Sequence, residues 1–196
     1  MLFLIAFKIT CISLTSVVIP DGVTEIGESA FANCSALTSV VIPSSLIDIR
    51  NHAFRHCNAL TSIVVEEGNT VYDSRNGCNA IIETKYNRLV LGCSTTVIPS
   101  SVTEIGEFAF CYCKNLTEID IPSSVTRIDE GAFSGCSGLK NIIIPENVTY
   151  VEKEAFWGCN GLEKITVLSR NINISVGAFG QCGKVDSIYA PANLLL

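Results

Sequence analysis

The chain has 196 residues, 48% of them hydrophobic, which is enough apolar side chain for a continuous core. Its formal charge is −6 and its pI near 4.9, the wrong sign for a nucleic-acid binder, whose affinity comes from lysine and arginine neutralising phosphates. The acidity gives solubility and names no partner. The first residues, MLFLIAFKITC, are apolar but too short for a membrane span, which needs about 20 such residues. They also lack the basic start and small-residue cleavage site of a signal peptide, so no membrane insertion is expected of this segment.

Strand and bend signals begin at Leu14. In TSVVIP, residues 38–43, alternation puts Val40 and Ile42 on one side and Ser39 and Val41 on the other, the two-residue period of a strand that the proline ends. The stretch GVTEIGESAFANC, residues 22–34, spaces Val23, Ile26, Ala30 and Phe31 by threes and fours, which predicts a second short extended bend followed by one or two helical turns. Both pieces recur. FANCSALTSVVIPSSL at residues 31–46 returns 23 positions later as FRHCNALTSIVVEEG, with Phe31 and Phe54, Cys34 and Cys57, and Leu37 and Leu60 in step. A single core does not require fixed spacing, so the rigid offset identifies stacked copies of one unit, LxxΦxΦPxxΦxxΦxxxAFxxCxx, with Φ an aliphatic residue. Ala6, Phe7 and Cys11 read as a worn AFxxC segment with one residue inserted.

The next unit breaks the count. Glu66 lies 23 after Pro43, but Pro99 follows it by 33, and the extra residues come without an AFxxC segment. In its place stands VYDSRNGCNAIIETKYNRLVLGC, where AIIE and RLVL are strand-like runs joined by Thr84–Asn87, predicting a β-hairpin in place of the helical turn. Such an insertion serves either binding or a change of curvature, and the residues leave both open. Regular units then resume with Phe110, Phe133, Phe156 and Phe179, with Cys113, Cys136, Cys159 and Cys182, and with Pro99, Pro122, Pro145, Leu168 and Pro191. The whole chain, 1–196, is read as one solenoid: an incomplete repeat over about 6–13, regular repeats over 14–65, a hairpin-bearing unit over 66–98 and regular repeats over 99–193.

Ten cysteines raise the question of a disulfide framework. Seven share one repeat position beside the phenylalanine and are expected as small, inward, stacked free thiols. Cys78, Cys93 and Cys111 lie off that ladder; Cys93 takes a core leucine slot, and a Cys78–Cys93 bridge stays open. His52 and His56 are spaced like metal ligands, yet they lack a third ligand and the glutamate of HExxH, so they are expected to face solvent. Cys111, in the Cys111-x-Cys113 pair, is a candidate exposed thiol. Four glycosylation triplets occur, at Asn33, Asn115, Asn147 and Asn173. No nucleophile beside a base and no acid–base carboxylate pair is apparent, so no enzyme activity, metal or cofactor is predicted.

Two outward rows remain. Val18, Val41, Val64, Val97, Asp120, Ile143, Thr166 and Tyr189 form one, and Ser16, Ser39, Ser62, Thr95, Glu118, Asn141, Lys164 and Ser187 the other. A strip of exposed valine, isoleucine and tyrosine marks an interaction surface, although strands favour β-branched residues in any case. With LTSVVIPSSLIDI, the AFxxC pairs and the 23-residue period, the chain over roughly residues 6–193 resembles the BspA-type leucine-rich repeat family. The segment GNTVYDSRNGCNAIIET is similar to the hairpin-bearing unit of its bacterial members. The resemblance implies an α/β repeat solenoid: a right-handed coil with a parallel β-sheet on its concave side, short helical turns opposite and one hairpin insertion. It also implies display at a cell surface or secretion, and a role in adhesion to host or other extracellular proteins. The binding residues expected are Val18, Val41, Val64, Asp120, Ile143, Lys164, Thr166 and Tyr189; the alternative role is a structural spacer within a larger protein.

Overall fold

In the computed structural model the described residues are 12–192, with the backbone of Phe3–Ile5 besides. Ala6, Phe7 and Cys11, read as a worn repeat, lie outside the described residues. Each regular coil starts with the alternating segment. Ser39–Ile42 pairs in parallel with Ser16–Val18 on one side and Ser62–Val65 on the other, residue for residue at the repeat spacing (Ser16↔Ser39↔Ser62). Val40, Ile42, Ile63 and Val65 point inward and are buried. Proline then turns the chain: its carbonyl accepts the N–H three residues on, as from Pro43 to Leu46 and from Pro122 to Val125. A second short strand follows, such as Val23–Ile26, Glu104–Ile105 or Arg127–Ile128, also paired in parallel from coil to coil.

The AFxxC segments are not helical. Among the described residues the single helical piece is the 3-10 turn Arg75–Gly77. From Gly27 to Cys34 every second amide bonds three residues back (Ala30 to Gly27 3.2 Å, Ala32 to Ser29 3.1 Å, Cys34 to Phe31 3.2 Å). The alternate amides cross to the next coil (Ser29 to Asn51 3.3 Å, Phe31 to Ala53 2.8 Å, Asn33 to Arg55 2.8 Å). An α-helix keeps its interior amides for itself, whereas a stacked coil must direct alternate donors outward. Left-handed residues in every such turn, here Ser29 (φ 57°) and Asn33 (φ 66°), make that alternation possible. The expected α/β coil is therefore a β-coil with turns.

Nor is the first face one continuous sheet. It consists of two three-stranded parallel sheets, one of Ser16–Val18, Ser39–Ile42 and Ser62–Val65, the other of Asn141–Ile144, Lys164–Val167 and Ser187–Tyr189. Thr95–Val97 and Glu118–Asp120, between them, form no strand. Val97 donates instead to Cys78 O (3.1 Å), inside the hairpin unit, so the ladder is diverted there.

The hairpin lies where its residues predict, with Ala80–Glu83 antiparallel to Arg88–Gly92 around the turn 84–87. Tyr72–Asp73 adds a third antiparallel strand. Arg88 and Leu89 pair in parallel with Glu104 and Ile105, so the hairpin belongs to the second column of strands, in a seven-stranded mixed sheet, and the turn column skips this unit. Asn69 fastens it to the preceding coil: its amide donates to Pro43 O (2.9 Å) and Leu46 O (3.0 Å), and its Oδ1 accepts from the Val71 and Tyr72 amides.

The interior is a column of repeated groups. Phe31 stacks on Phe54 at 5.2 Å, and Phe110, Phe133, Phe156 and Phe179 form a second stack at 4.9–5.1 Å. The described cysteines are free thiols, Cys78 and Cys93 included, so these two form no bridge. Each of Cys57, Cys136, Cys159 and Cys182 donates its S–H to the carbonyl of the preceding coil's phenylalanine at 3.1–3.2 Å.

Candidate functional site

Strand alternation decides which side chains a partner can reach. In the first sheet Val18 (68% exposed), Val41 and Val64 (44%) are directly opposed in register, flanked by the aligned row Ser16, Ser39 and Ser62. Neighbouring strands lie about 4.8 Å apart, so the three valines make a continuous apolar strip roughly 10 Å long. In the other sheet Ile143 (53%), Thr166 and Tyr189 (57%) align, beside Asn141, Lys164 and Ser187. Lys164 Nζ lies 4.7 Å from the Tyr189 ring centroid, a cation–π contact that orients the ring. Asp120 is exposed but stands on the irregular segment between the sheets. Seven of the eight expected residues thus sit on two strand patches, and the eighth lies between them.

Sequence reasoning missed an ionic ladder on the second column of strands. Arg50 Nε lies 2.9 Å from Glu25 and 3.0 Å from Asp48. Arg88 bridges Glu83 (2.6 Å) and Glu104 (3.7 Å), and Arg127 bridges Asp129 and Glu152. Burial, and then a hydrogen bond shared with Asp129, pushes Glu104 up to about 7. The signal was present in the sequence, since Glu25 and Asp48, like Glu104 and Arg127, sit one repeat apart and pair in register.

The two histidines do not face open solvent. The His52 ring packs at a tilt against Phe108 (4.5 Å) and the His56 ring against Tyr112 (3.9 Å), joining the coil before the hairpin unit to the coil after it. Phe108 and Tyr112 occupy left-handed positions (φ 56° and 60°), and their rings lie over Gly131 and Gly135 of the next coil, where a Cβ would meet them at 2.4 and 2.6 Å. The Cys111 thiol is half-buried, and burial raises its pKa to about 11. That is a protonated, sluggish sulfur rather than an exposed reactive one.

The backbone architecture has solved counterparts. A leucine-rich repeat protein of Eubacterium ventriosum is similar with a TM-score of 0.74 and 26% identity, over 90% of this chain and 54% of that one. A leucine rich cell surface protein of Faecalibacterium prausnitzii gives 0.57 and 26%, over 90% and 59%. A leucine-rich repeat protein of T. pallidum gives 0.55 and 27%, over 88% and 78%. This chain spans less than two thirds of the length of the first two. No curated protein matches it. Residues 5–87 and 82–195 match the profile described as BspA type leucine rich repeat region, in six copies. The period, the stacked coils and that profile agree: the chain belongs to the BspA-type leucine-rich repeat family.

Proposed function

We propose that this chain is a non-catalytic protein-binding module of a cell-surface or secreted adhesin, taking up host or other extracellular proteins on the face formed by the strands before each proline. The observation that carries the reading is the aligned strip Val18, Val41 and Val64, apolar and open on a sheet whose opposite side packs against the core. Ile143 and Tyr189 repeat the arrangement in the other sheet. A broad repeated surface is what stacked coils offer a partner, and the Faecalibacterium prausnitzii relative is described as a cell surface protein.

Val64→Glu combined with Ile143→Glu places two charges in these strips without touching the core. Pull-down of extracellular-matrix and plasma proteins with the native chain should yield a ligand that the double variant fails to capture at unchanged thermal stability. Equal capture by both proteins refutes the assignment to this face. A spacer that only separates other domains predicts no specific capture by either.

A further inference from the structure

The seam between residues 50–57 and residues 107–113 has incomplete backbone hydrogen bonding. Wherever one AFxxC turn is followed directly by another, the phenylalanine amide and the amide two residues on donate to the next coil at 2.7–2.8 Å: Phe31 to Ala53 and Asn33 to Arg55, Phe110 to Ala132 and Tyr112 to Ser134, Phe133 to Ala155 and Gly135 to Trp157. The hairpin unit supplies no AFxxC turn, so the amides of Phe54 and His56 meet no acceptor among the described residues. Phe54 and Arg55 line, with residues 107–113, a cleft of about 80 Å³, room for a few waters, floored by residues 90–93, and His56 follows them at its edge in the chain.

Positive charge gathers at the same place. Arg50, Arg75, Arg88 and Arg127 each pair with a carboxylate. Arg55 and Lys114 pair with none among the described residues, although the chain carries a net charge of −6. The Arg55 guanidinium lies 5.4 Å from the Tyr112 ring centroid, and Arg55 lines the cleft. Burial first, and then the nearby charges of Arg55 and Lys114, disfavour the charged form of the His56 imidazole.

Two unpaired amides, a guanidinium and an ammonium are all donors, and two of them carry charge, so the complementary ligand is a small acceptor with negative charge. We propose that the seam binds an oxyanion, a carboxylate or phosphate group, which accepts from the amides of Phe54 and His56 and is held by Arg55 and Lys114. The site lies apart from the strand face and does not rest on the adhesin reading.

The test is a titration of the ¹⁵N-labelled chain with sodium acetate and, separately, inorganic phosphate, at ionic strength held constant with chloride. The Phe54 and His56 amide signals should shift and saturate, and binding should weaken about tenfold or more in Arg55→Gln/Lys114→Gln, whose remaining spectrum stays native. Arg55→Lys, which keeps the charge and loses the fork, should fall between. Saturation by acetate alone identifies a carboxylate ligand such as an acidic peptide, and saturation by phosphate alone a phosphorylated one. Absence of saturable shifts at these two amides with either anion, or equal affinity in the double variant, overturns the proposal.

Discussion

Phe133 lies between Phe110 at 4.9 Å and Phe156 at 5.1 Å, with no exposed surface. The repeat keeps phenylalanine here because each ring covers the faces of its two neighbours, and a gap in a dense interior forfeits contacts on both sides. Phe133→Ala should therefore cost about 3–5 kcal/mol, measurable as a lowered urea midpoint at unchanged slope. The neighbouring cysteine is kept for a related reason: it is small enough for the column, and its S–H finds a partner in the phenylalanine carbonyl of the preceding coil, which also accepts an amide of its own coil. Burial pushes the Cys159 thiol up to about 12, so it remains a donor at physiological pH. The inward placing of these residues is legible from spacing alone. The S–H bond is not, because its acceptor lies 26 residues away in another coil.

For the elements, legibility depends on where the hydrogen bonds go. The hairpin strands could be read as AIIE and RLVL because their partners are local, and they stand at Ala80–Glu83 and Arg88–Gly92. The AFxxC turn could not, because apolar spacing of three and four is shared by a helix and by successive turns, and only the carbonyls of the next coil distinguish them. Gly92 shows what the hairpin demands where it joins the stack. A Cβ there would stand 2.1 Å from Cε1 of the fully packed Phe110 ring. Gly92→Ala should destabilise the chain by about 1–3 kcal/mol through overpacking. Gly183→Ala, where a Cβ meets nothing within 4 Å, should stay within about 0.5 kcal/mol of the native chain. Equal melting temperatures for the two variants would contradict this account of the junction.

Across the whole molecule, ion pairs tie successive coils along the second column of strands, and Glu104 is its titrating member. Its carboxyl takes up a proton near pH 7 in the folded chain against an ordinary value of 4.5. The folded state thus holds that proton more tightly than the unfolded state, and stability falls as pH rises from about 4.5 through 7. Partial exposure reduces the effect to about 1 kcal/mol. Glu104→Gln should accordingly lose less melting temperature than the native chain between pH 5 and pH 8; parallel loss in both would remove Glu104 as the cause.

The sequence by itself determined the period, the inside and outside of each strand, the phenylalanine and cysteine columns and the position of the hairpin, because each repeats or pairs through residues close in the chain. Only the tertiary structure decided that the turns are not helices, that the face divides into two sheets, and that His52 and His56 clasp Phe108 and Tyr112 across a seam. Those outcomes depend on which coil lies beside which and on what its carbonyls and rings offer, and no residue carries that information about its own neighbour.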